Sequence, residues 1–381
     1  MAAVVTLFAY NGLVIGVFAA SLPTLKLRFG LDATTLAILF LTAGVGAIAS
    51  MQVSGRLADR SGARHIVLTM IVPLAVAIVG VGFAPTYPLL LAAGFVLGVG
   101  NGGIDVAMNA LAVQVEQRRA KPIMSFFHGT WSIGNLVGAG SIVLIARATG
   151  WGPEPTVLAA ATAAGCIGAA AFGVACAITP QTERAAPTEP GGRKPPVPRS
   201  AYLLGLMAIA FGISESAAGD WSAVHVTEVA KVDPVTGSLG VTAVAAFMVL
   251  VRLFGDALVA RFGRRTIVRA GAAGAITGLL VVSTMTSLPL LLLGWALVGF
   301  GGGIIAPQVY AVAGYLAGGR GLAVVVTFGY ATFLITPAIL GALVGVIGVQ
   351  HAMFVPAALL VAMVFLARIL PAKKDDPAVR R

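Results

Sequence analysis

Asn101, Asp105 and Asn109 recur at a spacing of four inside Gly98–Glu116, a stretch that is otherwise apolar and small. That spacing stacks side chains on one face of a helix, so a carboxylate stands between two carboxamides. A carboxylate can take up and release a proton, and carboxamides both donate and accept hydrogen bonds. Within a bilayer an ionisable side chain is costly, and it marks a functional site by default. Other residues of comparable chemistry are isolated in apolar surroundings: Asn11, His128, Trp131, Glu215, Asp220, Trp221, Arg252 and Gln308.

The elements that must hold these groups follow from composition. Of 381 residues 58% are hydrophobic and 10% charged, with a mean hydropathy of +0.97. A soluble domain carries about 25% charged residues, so the chain reads as an all-α polytopic membrane protein. The net charge of +11 does not indicate nucleic acid, because most Lys and Arg fall between apolar runs, as membrane topology requires. Forty-eight glycines suit close helix contacts in lipid. Cys166 and Cys176 lie ten apart in one run, about 15 Å of helical rise, too far for a disulfide; they read as small buried apolar residues. The first run, beginning near Met1, lacks a basic leader and is expected to remain as a spanning helix.

A bilayer core needs roughly 20 apolar residues per helix. Twelve spans satisfy this, near 2–23, 33–56, 65–83, 87–115, 122–147, 155–178, 201–227, 236–260, 266–284, 288–316, 321–347 and 350–370. With the N-terminus inside, twenty Lys and Arg fall in inner segments and four in outer ones, which predicts that both termini are cytoplasmic. The segment 179–200, rich in Pro, Gly and charge, reads as a cytoplasmic linker between six-helix bundles at 1–178 and 201–370, with a tail at 371–381. The halves are related: a shift of 200 brings Gly94, Gly102 and Gly103 onto Gly294, Gly302 and Gly303, and GRLADRSGAR (Gly55–Arg64) onto GDALVARFGRR (Gly255–Arg265) with one residue of slippage. Such repeats mark secondary-transporter folds, whose sites lie near the midplane.

Gly55, Asp59, Arg60, Gly62 and Arg64 match the signature loop of the major facilitator superfamily, Gly-x-x-x-Asp-Arg-x-Gly-x-Arg, which the chain resembles over its whole length. The resemblance implies a conformational charge network there, with Arg261 in the second copy. That copy departs from the pattern at Ala260, and Arg252 and Asp256, four apart, are expected to pair with each other. GNGGIDVAMNALAVQVE, MSFFHGTWSIGNLVGAG and ESAAGDWSAVHV are similar to spans four, five and seven of the fucose–proton symporter branch. By that resemblance Asp105 is a protonatable acid. The branch's acid in span one has no counterpart, since Ala19, Ala20 and Ser21 precede Pro23. The span-four Arg and span-five Gly-Pro of drug–proton antiporters are absent, with Gly94-Phe95 and Gly134-Asn135 in their places.

Counted from the cytoplasmic helix ends, Asn11, Asp105, Trp131 and Glu215 lie roughly 14, 16, 15 and 21 Å deep. The sequence therefore predicts a cavity with Asp105, Glu215 and His128 in proton coupling. Asn11, Asn101, Asn109, Trp131, Trp221, Gln308 and Tyr330 are expected to contact solute. Gly55, Asp59, Arg60, Gly62, Arg64, Asp220, Arg252, Asp256 and Arg261 are expected to govern gating. The expected function is alternating-access transport without enzymatic activity or bound cofactor, the proton serving as coupling ion. The expected partners are a small polar solute, a sugar first, and membrane lipid, with the chain a monomer in a bacterial cytoplasmic membrane. The rival readings are a proton-driven exporter and a membrane sensor that moves nothing.

Overall fold

The computed structural model describes residues 1–119, 124–177 and 198–372, so the linker and the tail fall almost wholly outside the described residues. In lipid every main-chain polar group must be satisfied internally, which leaves such apolar segments the helix as their solution. The helices are α1 (Ala2–Phe29), α2 (Ala33–Ser61), α3 (Ala63–Phe83), α4 (Tyr87–Arg119), α5 (Met124–Thr149), α6 (Pro153–Cys176), α7 (Arg199–Ser216), α8 (Ser222–Ala230), α9 (Pro234–Gly237), α10 (Leu239–Phe262), α11 (Arg264–Thr284), α12 (Leu288–Ala352) and α13 (Phe354–Leu366). Among the described residues eleven helical segments are long and apolar enough to cross a membrane. A twelfth apolar segment, Phe354–Ile369, is shorter.

Three boundaries differ from the expected ones. Span seven is α7 and α8 joined by a π-helical turn, Ala217–Trp221. The tenth and eleventh spans, Leu288–Ala313 and Thr327–Ala352, lie within one helical assignment of 65 residues. It is not straight: a Cβ on Gly329 would meet Tyr310 Oη at 2.6 Å, whereas nineteen residues of straight helix span roughly 28 Å. The two spans therefore run back alongside each other. Near the end of α12, Gly348 has φ 79°, a conformation that favours glycine, and the final span follows. Cys166 and Cys176 are unbridged, but both are exposed rather than buried; on a membrane protein the outer surface is itself apolar.

The chain divides into two compact units, Met1–Leu31 with Ile38–Pro195 and Asp32–Ala37 with Pro196–Arg381. They repeat one packing scheme at a shift of 201, one residue more than the shift of 200 that aligns the glycines in sequence. In the first, Gly98 and Gly102 of α4 abut the carbonyls of Ala43 and Ala47 in α2, and Gly100 abuts Leu74 in α3. In the second, Gly299 and Gly303 of α12 abut Val244 and Met248 in α10, and Gly301 abuts Ala275 in α11. Small residues let these helices approach until main chain meets main chain.

The signature loops repeat too. Gly62 (φ 86°, ψ 145°) and Gly263 (φ 81°, ψ 153°) precede α3 and α11 in a region of backbone space essentially reserved for glycine. Arg64 Nη2 then donates to the Cys176 carbonyl at 3.0 Å, and Arg265 Nε to the Leu370 carbonyl at 2.8 Å, so each loop clasps the last helical segment of its own unit. Gly62→Ala is expected to cost about 1–3 kcal/mol in backbone strain. Gly55→Ala, whose Cβ would meet nothing within 4 Å, is expected to be near neutral. Thermal unfolding of the two purified variants checks the contrast, and equal midpoints would refute it.

Candidate functional site

In the first unit the site rests on the contact between α1 and α5. Gly12 and Gly16 face the carbonyls of Trp131 and Asn135, while Gly134 and Gly138 face those of Ala9 and Leu13. Each helix thus presents glycines four apart, the small-xxx-small pattern of close crossings in lipid. Phe8 packs beside this contact, stacked on Phe127 with centroids 5.5 Å apart and edge-on to His128 at 5.4 Å.

This approach brings three predicted residues from three helices into one hydrogen-bonded group. Asn11 Nδ2 of α1 donates to Asn101 Oδ1 of α4 at 2.8 Å, and Trp131 Nε1 of α5 donates to Asn11 Oδ1 at 2.7 Å. Asn11 is only 2% exposed, whereas Asn101 and Trp131 are half-buried. Asn11 is thus the hub that orients the other two. One turn along α4 from Asn101 stands half-buried Asp105, and Asn109 Nδ2 donates to the main-chain carbonyl of Asp105 at 2.8 Å and to its Oδ1 at 3.3 Å. His128 is exposed, three residues before Trp131 on α5. Replacing Asn11 by Leu leaves the indole N–H and the Asn101 carbonyl oxygen without this partner. Each is expected to cost about 1–3 kcal/mol, read as a lower unfolding midpoint together with weaker solute binding.

The second unit holds a different set. At the same shift of 201, Gly212 and Thr332 take the places of Asn11 and Trp131, and they touch: a Cβ on Gly212 would meet Thr332 Cγ2 at 2.8 Å. The polar hub therefore has no counterpart there. Glu215 of α7 has no basic neighbour in its own span, but Arg252 of α10 faces it, with Nη2 at 3.8 Å from Oε1. The expected pairing of Arg252 with Asp256 falls on a side chain outside the described residues. The side chains of Asp59 and Arg60 lie outside them as well.

Asp220 accepts a hydrogen bond from Ser216 Oγ at 2.8 Å within the π turn, a feature that often marks functional positions. Trp221 closes that turn with 0% exposure, so no face of its indole is open here. Gln308 is buried and Tyr330 half-buried on α12, and Arg261 is exposed, its guanidinium over the Phe262 ring at 5.2 Å. His225 is 0% exposed: Nε2 lies 3.1 Å from the Val282 carbonyl, and Trp295 Nε1 donates to Nδ1 at 3.4 Å. It ties α8 to α11 and α12. No periodicity signals that role, since a histidine near a span end reads alike in water and in the core. Among the described residues no three His, Cys, Asp or Glu are grouped to hold a metal ion.

Comparison with known proteins places these features in context. A family model described as Major Facilitator Superfamily matches residues 4–227. The uncharacterized transporter y4wD of Sinorhizobium fredii is 32% identical over 342 residues, covering 88% of this chain and 89% of that protein. An uncharacterized MFS-type transporter of Yersinia pestis is 28% identical over 338 residues, with 88% and 86% covered. Among solved structures, the D323A mutant of the nucleoside transporter NupG superposes with a TM-score of 0.74 at 12% identity, covering 96% of this chain and 98% of that one.

Proposed function

The chain belongs to the major facilitator superfamily, and from that premise we propose that this multi-pass membrane transporter is a proton-coupled symporter of a small polar solute in a bacterial cytoplasmic membrane, with both of its termini on the cytoplasmic side. One observation supports this reading above the others. Amide and indole groups from α1, α4 and α5 converge one helical turn from Asp105, an acid inside a membrane span. The half-buried indole of Trp131 offers an apolar face to a ring, and Asn101 offers hydrogen bonds to hydroxyls. That combination suits a sugar or sugar derivative. The likeness to a nucleoside transporter is one of fold at 12% identity, so nucleosides join the candidates without leading them.

In this reading Asn11 orients, Asn101 and Trp131 hold the solute, and Asp105 exchanges the proton as the protein alternates between its two openings. Purified protein in liposomes tests it. A thermal-stability screen over sugars, sugar acids, nucleosides and organic acids selects ligands, and their accumulation is then followed under an imposed pH gradient. Uphill uptake coupled to inward proton flow is the expected result. Accumulation driven instead by outward proton flow, proton exchanged for solute, would indicate an exporter. A ligand that binds and never moves would indicate a sensor.

A further inference from the structure

We propose that Asn135 of α5 is a further solute-binding residue, and that its carboxamide reads two adjacent hydroxyls of the solute. This rests on the transport reading and names the solute's chemical class, a neutral compound carrying a vicinal diol. A helix turns by about 100° per residue. On that measure the large apolar side chains that α5 exposes, Phe126, Ile133, Val137 and Leu144, lie within about 40° of one another. They form the lipid-facing side of the span. His128, Trp131 and Asn135 lie within about 60° of one another on the opposite side, and each is exposed or half-buried. Further along that side Ala139 and Ile142 are buried. The accessible polar strip therefore ends at Asn135, where the helix closes against its neighbours.

The hydrogen-bonding capacity left at this strip is specific in kind. Trp131 spends its N–H on Asn11 Oδ1, so its indole turns only carbon toward a solute. Asn101 spends Oδ1 on Asn11 Nδ2. Among the described residues, the amide protons of Asn101 and the whole Asn135 carboxamide have no hydrogen-bond partner. Asn135 stands one turn beyond Trp131, about 6 Å of rise. A ring laid on the indole thus turns its rim toward the carboxamide. The oxygen and nitrogen of a carboxamide lie side by side in one plane. Of two adjacent hydroxyls, one donates to Oδ1 while the other accepts from Nδ2. A carboxylate only accepts and an ammonium only donates, so each leaves half of the carboxamide unmet. In an enclosed site an unmet polar group is costly, which makes the contact selective. The amide protons of Asn101 remain for a third hydroxyl.

Matched ligands test the inference on the purified full-length protein: glucose and galactose with their monodeoxy analogues, and uridine with the analogues lacking either ribose hydroxyl. Kd is measured for wild type, Asn135→Leu and Asn135→Ala. At least one parent compound is expected to bind the wild type, and removal of either of two adjacent hydroxyls should weaken it roughly ten-fold. In Asn135→Leu the preference for the parent over those two analogues should vanish. The comparison is between ligands on one protein, so a general loss of stability does not imitate it. Asn135→Ala carries the same comparison with a smaller side chain, should Asn135→Leu fail to fold. Three results overturn the proposal: variants that prefer the diol as wild type does, uridine binding that depends on Asn135 but on neither ribose hydroxyl, or failure of every parent compound to bind the wild type. A sugar that behaves as expected yet is never accumulated in liposomes leaves Asn135 standing and removes the transport reading. Uphill uptake of a solute that both variants bind like wild type does the reverse.

Discussion

Asp105→Asn is expected to abolish accumulation driven by a pH gradient while leaving ligand binding and solute-for-solute exchange in place. The substitution is nearly isosteric, and the Asn109 amide, 3.3 Å from Oδ1, finds a carboxamide oxygen where a carboxylate oxygen stood. The group therefore keeps its shape and loses its ability to carry a proton. With one proton per solute, a gradient of one pH unit supports about ten-fold accumulation, or 1.4 kcal/mol. The variant should settle at equal concentrations inside and outside. Labelled-solute uptake by liposomes with and without the gradient, beside counterflow at equal pH, separates coupling from binding. Uphill uptake by the variant at the wild-type level would remove Asp105 from the coupling step.

Gly134→Leu should have the largest structural effect. A single Cβ at this position would meet the Ala9 carbonyl oxygen at 2.0 Å, its carbon at 2.8 Å and Ala9 Cα at 3.0 Å. Overpacking by a methylene or two generally costs about 1–3 kcal/mol, because neighbouring side chains shift. Here the obstacle is main chain, and α1 as a whole must retreat. The cost should exceed that range, and the Asn11–Trp131 hydrogen bond, one turn away, should be lost with it. Gly134→Ala should be intermediate. Gly129→Ala and Gly140→Ala on the same helix, with open space around their Cβ positions, should be silent. Size-exclusion profiles of the detergent-extracted variants rank the four. A well-folded Gly134→Leu protein with normal solute binding would show that α1 and α5 are not bound as described.

The levels of the site residues were readable from the sequence, while their rotations about the helix axes were not. Rise per residue is fixed, so a count from the inner helix ends set Asn11, Asp105 and Trp131 at similar depth, and Asn11 and Trp131 do meet. Which way a side chain points depends on how helices pack. No spacing along α10 pointed from Arg252 to Glu215, which stands 3.8 Å away on another helix. Trp221 and Trp131 look equivalent as aromatic residues in polar company, but one is enclosed and the other half-buried. Hydropathy located the tenth and eleventh spans and said nothing of helical geometry continuing between them, because a polar turn can also be helical.

The π turn at Ala217–Trp221 acts on span seven as a dislocation acts on a lattice. Each residue advances a helix by about 100°, and a five-residue hydrogen-bonded turn accommodates one residue more than the ladder on either side. The part of the span after the turn is therefore geared one tooth away from the part before it. His225 and Ser222 look out along bearings that an unbroken helix from Arg199 would give to other residues. Deleting a single residue here, Gly219 for instance, would restore a regular ladder and swing His225 away from Val282 and Trp295 while leaving Glu215 where it is. The two ends of this span are thus mechanically separable, with Ser216 and Asp220 bonded across the seam.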